Sequence, residues 1–222
     1  MKFASKALLL ALLIVNFAAS SIPTRSDDEP ECTKRGLGKL QLAKEDITIL
    51  GLTIGSTSMT DVQAKLGQAQ FLPVHGVASA SHTICYVSPT DGTVLTLGTD
   101  GPGGGYVDLS EFAIWSREAK FPNVSACSQS KLVSRDLSTP SGIRLGLSLQ
   151  QLNKIVGKRT TTQRAVAHYE LLCRQKMTSD EMKRFPASEV AERPYFDVFS
   201  SVDAYLEGAG ASRISIVKSE TY

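Results

Sequence analysis

Ser128 and Lys131 stand three positions apart, the spacing of a Ser/Lys pair in which an amine takes the proton of a hydroxyl nucleophile. The companion motifs of that chemistry are missing, and no Gly-x-Ser-x-Gly turn is present. His75, His82 and His168 lack the His-Glu-x-x-His or carboxylate spacing of a built zinc site, so neither a metal nor a cofactor is expected. His82 and His168 fall in corresponding strand patterns, where a satisfied or half-exposed imidazole is the plain reading, and His75 falls in a loop. The run Asp100 to Gly105 is rich in glycine, but a phosphate cradle opens a helix and ends in Lys, whereas strand patterns flank this run. Asn123-Val124-Ser125 is a formal glycosylation sequon, meaningful only in a host that glycosylates exported proteins. Together these residues define no catalytic set, and the chain reads as a non-enzyme. The alternative is an exported hydrolase with an unrecognised Ser or Cys nucleophile.

Four cysteines, Cys32, Cys85, Cys127 and Cys173, are an even number without the Cys-x-x-Cys spacing of zinc or redox sites, and disulfides are their default in an oxidising compartment. Of the three pairings, Cys85 with Cys127 closes the shorter loop around one structural unit, which leaves Cys32 with Cys173. The compartment follows from the leader. Lys2 to Lys6 is basic, Ala7 to Ala18 is apolar except for Asn16, and Ala18-Ala19-Ser20-Ser21 offers small residues for cleavage, so residues 1–20 read as a signal peptide. The apolar stretch is about a dozen residues against the ~20 that span a bilayer, so an uncleaved anchor is the lesser reading. With no Cys directly after the leader for lipid attachment, a soluble exported protein is expected, periplasmic or extracellular, with no membrane span after cleavage. Its composition, 42% hydrophobic and 21% charged, is that of an ordinary globular chain. Without Lys2 and Lys6 the mature chain carries 22 basic and 22 acidic side chains and no basic run, so no nucleic-acid partner is expected.

The elements that must position these residues are written twice. Ile54-Gly55-Ser56-Thr57-Ser58 followed by Met59 to Gly67 is echoed by Leu145-Gly146-Leu147-Ser148 followed by Leu149 to Gly157. Ser58 and Ser148 are N-caps, Asp61 and Gln151 sit where a side chain reaches back, and Gly67 and Gly157 end each helix. After each helix the apolar period becomes that of strands. In the first copy His82 to Ser88, Thr93 to Leu97 and Tyr106 to Ser116 form a meander. In the second, Ala165 to Cys173 is followed by a helix over 178–191, opened by Ser179 and broken at Pro186. Strands around Phe196 to Leu206 and Ser212 to Ser219 then close the unit.

The expected fold is therefore α+β: two tandem units, each a short capped helix packed on an antiparallel β-meander. Residues 21–46 form an exposed N-terminal segment, 47–118 the first unit, 119–141 a linker and 142–222 the second. Trp115, Tyr106, Phe199 and Tyr205 lie on strands, where each is either core or an anchor at a protein interface.

The doubled pattern of an apolar residue, Gly, Ser, a short helix, Gly and a meander resembles the β-lactamase-inhibitor-protein-like superfamily. It is also similar to the small outer-membrane-assembly lipoproteins of the SmpA/OmlA type. The likeness covers roughly residues 48–116 and 140–219, with its motif confined to the dozen residues around each helix. It implies a helix on an antiparallel sheet in each unit and a role in binding another protein, as an inhibitor or an envelope accessory. No inhibitory loop can be matched residue by residue, and the lipid-attachment Cys of the assembly lipoproteins is missing. The leading expectation is an exported protein-binding or envelope-accessory protein; a stalk module without a specific ligand is a third reading.

Overall fold

The computed structural model describes residues 31–32, 41–72, 82–99, 108–157, 161–163 and 165–221. The leader, His75, Tyr106 and the run 100–105 lie outside the described residues. Packing begins before Ile47: the Asp46 carboxylate accepts the Ala43 N–H at 2.7 Å, closing a turn that carries Leu42 into the interior. Strands β1 (Thr48–Ile49) and β2 (Leu52–Thr53) then make a hairpin whose two-residue turn requires positive φ at both positions. Leu50 supplies 53° and Gly51 76°.

Helix α1 (Met59–Leu66) starts in a capping box, with Ser58 accepting the Asp61 N–H and Asp61 accepting the Ser58 N–H, each at 3.1 Å. Its buried face is Met59, Val62 and Leu66, and Gly67 ends it at φ 100°. Strands β3 (His82–Val87), β4 (Val94–Thr99) and β5 (Glu111–Trp115) follow as an antiparallel meander. The segment 119–141 adds β6 (Ser128–Gln129), which runs parallel to β3 along its outer edge, and lends Val133 and Leu137 to the core.

Helix α2 (Leu149–Val156) repeats the box with Ser148 and Gln151 and ends at Gly157, φ 112°. After it come β7 (Thr161–Gln163), β8 (Val166–Lys176), α3 (Ser179–Met182), α4 (Ala187–Glu192), β9 (Tyr195–Glu207) and β10 (Gly210–Thr221). The helix expected over 178–191 is thus two short helices parted at Pro186, which lacks the N–H to carry the ladder across. Its cap is Thr178 rather than Ser179. The Thr178 hydroxyl accepts the Glu181 N–H at 3.3 Å and Glu181 accepts the Thr178 N–H at 2.7 Å, so Ser179 is already helical.

The larger sheet has the order β6-β3-β4-β5-β10-β9-β8-β7, so the strands of both halves lie in one mixed, mostly antiparallel sheet rather than in two layers. The junction is β5 with β10, where Ile114 faces Ile214 and Trp115 faces Arg213. Each would otherwise be an edge strand with unpaired N–H and C=O groups, and pairing them satisfies both. Register lines up one row across six strands, Tyr86, Leu95, Ile114, Ile214, Ala204 and Ala167, every member fully buried.

Both capped helices cover this face. The Tyr86 hydroxyl donates to the Gly67 carbonyl at the end of α1, 2.6 Å, and burial pushes its pKa up to about 12. The Tyr169 hydroxyl donates to Asn153 Oδ1 on α2, 2.8 Å. The loop before each helix is tied in the same way to the start of a central strand, just before β5 in the first half and at the head of β10 in the second. Gly55 N–H donates to the Leu109 carbonyl and Leu109 N–H to Thr57; Gly146 N–H donates to the Ala211 carbonyl and Ala211 N–H to Leu147.

Candidate functional site

Because side chains alternate along a strand, the residues between those of the buried row point to the sheet's other face. On β10 the alternation Arg213, Ile214, Ser215, Ile216 sends Ile214 and Ile216 into the core and Arg213 and Ser215 out of it. A bulge between Ala211 and Arg213 resets the register so that Arg213 stands between Trp115 on β5 and Tyr205 on β9. Its guanidinium carbon lies 3.8 Å from the Trp115 ring centroid and 4.4 Å from that of Tyr205. A cation held between two π faces is favoured on both sides. Phe121 meets the Trp115 ring edge-on at 5.1 Å and closes the end of the row. Within it the Trp115 Nε1–H and the Arg213 Nε–H are buried without a hydrogen-bond partner among the described residues.

The next row runs Thr96, Ala113, Ser215, Asp203, His168 and Thr161. Its floor is small-sided until Asp203 and His168, whose side chains are 32% and 30% exposed. His168 Nδ1 is 2.5 Å from Asp203 Oδ1, and Nε2 is 3.1 Å from Glu170 Oε2. The hydrogen bond to Asp203 raises the His168 pKa above 6.5; burial opposes it and the Glu170 contact adds to it. At the far end of the face Asp197, 2% exposed, receives Arg193, with Arg174 Nε at 3.8 Å from its other oxygen.

The structure brings Trp115 and Tyr205 together through Arg213. Phe199 is on the same face, opposite the exposed Leu172, but six residues along β9 from Tyr205, roughly 20 Å at strand rise. Tyr106 falls outside the described residues. Arg213, Asp203 and Glu170 were not among the expected site residues. Glu170 was within reach of the sequence, since two positions after His168 in a strand is the same face; Asp203 required the register of β8 against β9.

The remaining candidates are engaged elsewhere. Cys85 is bonded to Cys127 and Cys32 to Cys173, so no thiol is left among them to act as a nucleophile. The Ser128 hydroxyl donates to the Gln68 carbonyl at 3.0 Å. The His82 ring lies 5.1 Å from that of Phe71, at the mouth of a hollow of about 620 Å³ beside α1 that is also lined by Met59, Thr60, Gln63 and Gln68. Among the described residues no group of three or more His, Cys, Asp and Glu is arranged to hold a metal ion, and no helix is long and apolar enough to cross a membrane. No family model, curated protein or solved structure matches the chain.

Proposed function

We propose that this is an exported, non-enzymatic protein-binding or envelope-accessory protein that docks its partner on the sheet face opposite the helices. The observation that carries the reading is the Trp115–Arg213–Tyr205 row: an aromatic–guanidinium stack, partly exposed on this face and made of the residue types that dominate protein interfaces. Two disulfides fit an oxidising compartment, and export with cleavage near Ser20 completes the reading. The matching caps, tyrosine contacts and loop ties support a duplicated unit of the β-lactamase-inhibitor-like kind.

A photo-crosslinking residue at Tyr205 tests it, with one at Gln150 on the exposed side of α2 as the control. The same envelope protein captured from Tyr205, absent from Gln150, and captured roughly 30-fold less by a Trp115→Ala variant that is still folded at the assay temperature is the expected result. Equal capture from both positions, or capture indifferent to Trp115→Ala, overturns it.

A further inference from the structure

His168 lies between two carboxylates that reach it from different directions. Asp203 comes from the neighbouring strand β9, at 2.5 Å from Nδ1, and Glu170 from two residues on in β8 itself, at 3.1 Å from Nε2. An ionised carboxylate only accepts, so each contact requires an N–H on the ring. Neutral imidazole has one and imidazolium has two. We propose that His168, Asp203 and Glu170 form a proton-operated clasp on the open sheet face, closed over the imidazolium and released at Glu170 when the proton leaves.

The two arms are unequal, which decides where the release happens. Asp203 makes the shorter contact and is the less exposed, at 32%, whereas Glu170 makes the longer one and is 45% exposed. When one proton is lost, the remaining N–H stays with Asp203. The Nε2 lone pair then faces Glu170, and attraction becomes repulsion. The three side chains pass from one net negative charge to two.

Among the described residues, the elements flanking the ring add no further charge against it. β7 presents Thr161, β8 presents Val166 and Glu170, and β9 presents Asp203 between Ser201 and Tyr205. Arg213 on β10, beyond Asp203, is held over Trp115 and Tyr205. The consequence for docking rests on the reading of this face as a binding surface. A proton on His168 and a lysine or arginine of a partner compete for the same two carboxylates, so a cationic partner gains as pH rises past the release.

The clasp is read without any partner by following the histidine ring nitrogens of the full disulfide-bonded chain by NMR from about pH 5 to about pH 9. The expected result is a His168 ring protonated on both nitrogens at pH 6.5, with its midpoint above that value. Glu170→Gln lowers the midpoint and Asp203→Asn lowers it further. A single neutral tautomer at pH 6.5, or a midpoint that neither variant moves, overturns the clasp. Failure of the titration leaves the docking reading standing, and failure of the crosslinking leaves the clasp standing.

Discussion

The two halves of the sheet are alike on the face the helices cover and unlike on the other. On the covered face each half has a boxed helix, a tyrosine from the first long strand reaching that helix, and a backbone tie from the preceding loop to the start of β5 or β10. On the opposite face the first half is the more closed of the two. Cys85 is 1% exposed and bonded to Cys127, Val94 is 2% exposed, and Phe121 from the segment after β5 packs edge-on against Trp115, which stays partly exposed. The second half instead presents Arg213, Tyr205, Asp203, His168 and Glu170, all partly exposed. One face makes the core in both halves; on the other, the described rows of the first half carry Glu111 alone as an acid or base, against Arg213, Asp203, His168 and Glu170 in the second. The second half also encloses α3 and α4 between β8 and β9, where the first has a tight turn at Asp91 and Gly92.

The disulfides give the largest expected contrast. Replacing either pair by Ser costs about 2–5 kcal/mol, and loss of Cys32–Cys173, which spans 141 residues, costs about 1 kcal/mol more than loss of Cys85–Cys127, which spans 42. Guanidinium unfolding of the two double variants measures this, and equal midpoints would show that closing the first half matters as much as the longer loop. Next come the glycines. A Cβ at Gly210 would lie 2.5 Å from the Gly146 carbonyl oxygen, backbone against backbone, so Gly210→Ala costs about 1–3 kcal/mol. Gly98→Ala meets the Glu111 side chain from its carboxylate back to Cγ at 2.8 Å, which can turn aside where backbone cannot, and costs less, about 0.5–1 kcal/mol, a difference that thermal unfolding resolves.

The helix-to-sheet contacts should be matched. Tyr86→Phe and Tyr169→Phe each remove one hydrogen bond to a helix and each cost about 1 kcal/mol by urea unfolding. A cost confined to one of them would break the likeness on the covered face. The smallest effects are in pH and run in opposite directions. Burial works against the Asp91 carboxylate, yet N–H groups of Thr93 and Arg135 hold its pKa at about 2, below 3.8. Its contribution is therefore full above pH 3.8 and lost as pH falls through about 2. His168, raised above 6.5, contributes fully below 6.5, and that contribution is lost as pH rises through its folded value. Melting temperatures across pH should thus lose the acid dependence in Asp91→Asn and the alkaline dependence in His168→Gln.

Legibility followed the range of the forces. The capping boxes at Ser58 and Ser148, the glycine stops at Gly67 and Gly157 and most strand cores are set by neighbours within four residues, and all stand where the pattern put them. Errors of one position, such as Ser179 for Thr178, arose where adjacent residues both had side chains able to cap. The candidate site was half legible. Trp115 and Tyr205 were identifiable by type and by strand, but Arg213 was not, because its importance comes from two rings on two other strands.

The sequence by itself determined the short-range elements, and the even cysteine count. Hydrogen bonds within a helical turn and alternation within a strand do not need the rest of the chain. Tertiary structure alone decided that β5 pairs with β10, that the sheet is continuous, and that Asp203 meets His168 across strands. Those outcomes depend on register between segments up to about a hundred residues apart, where one residue of slip would turn His168 and Arg213 into the core and Ile214 out of it.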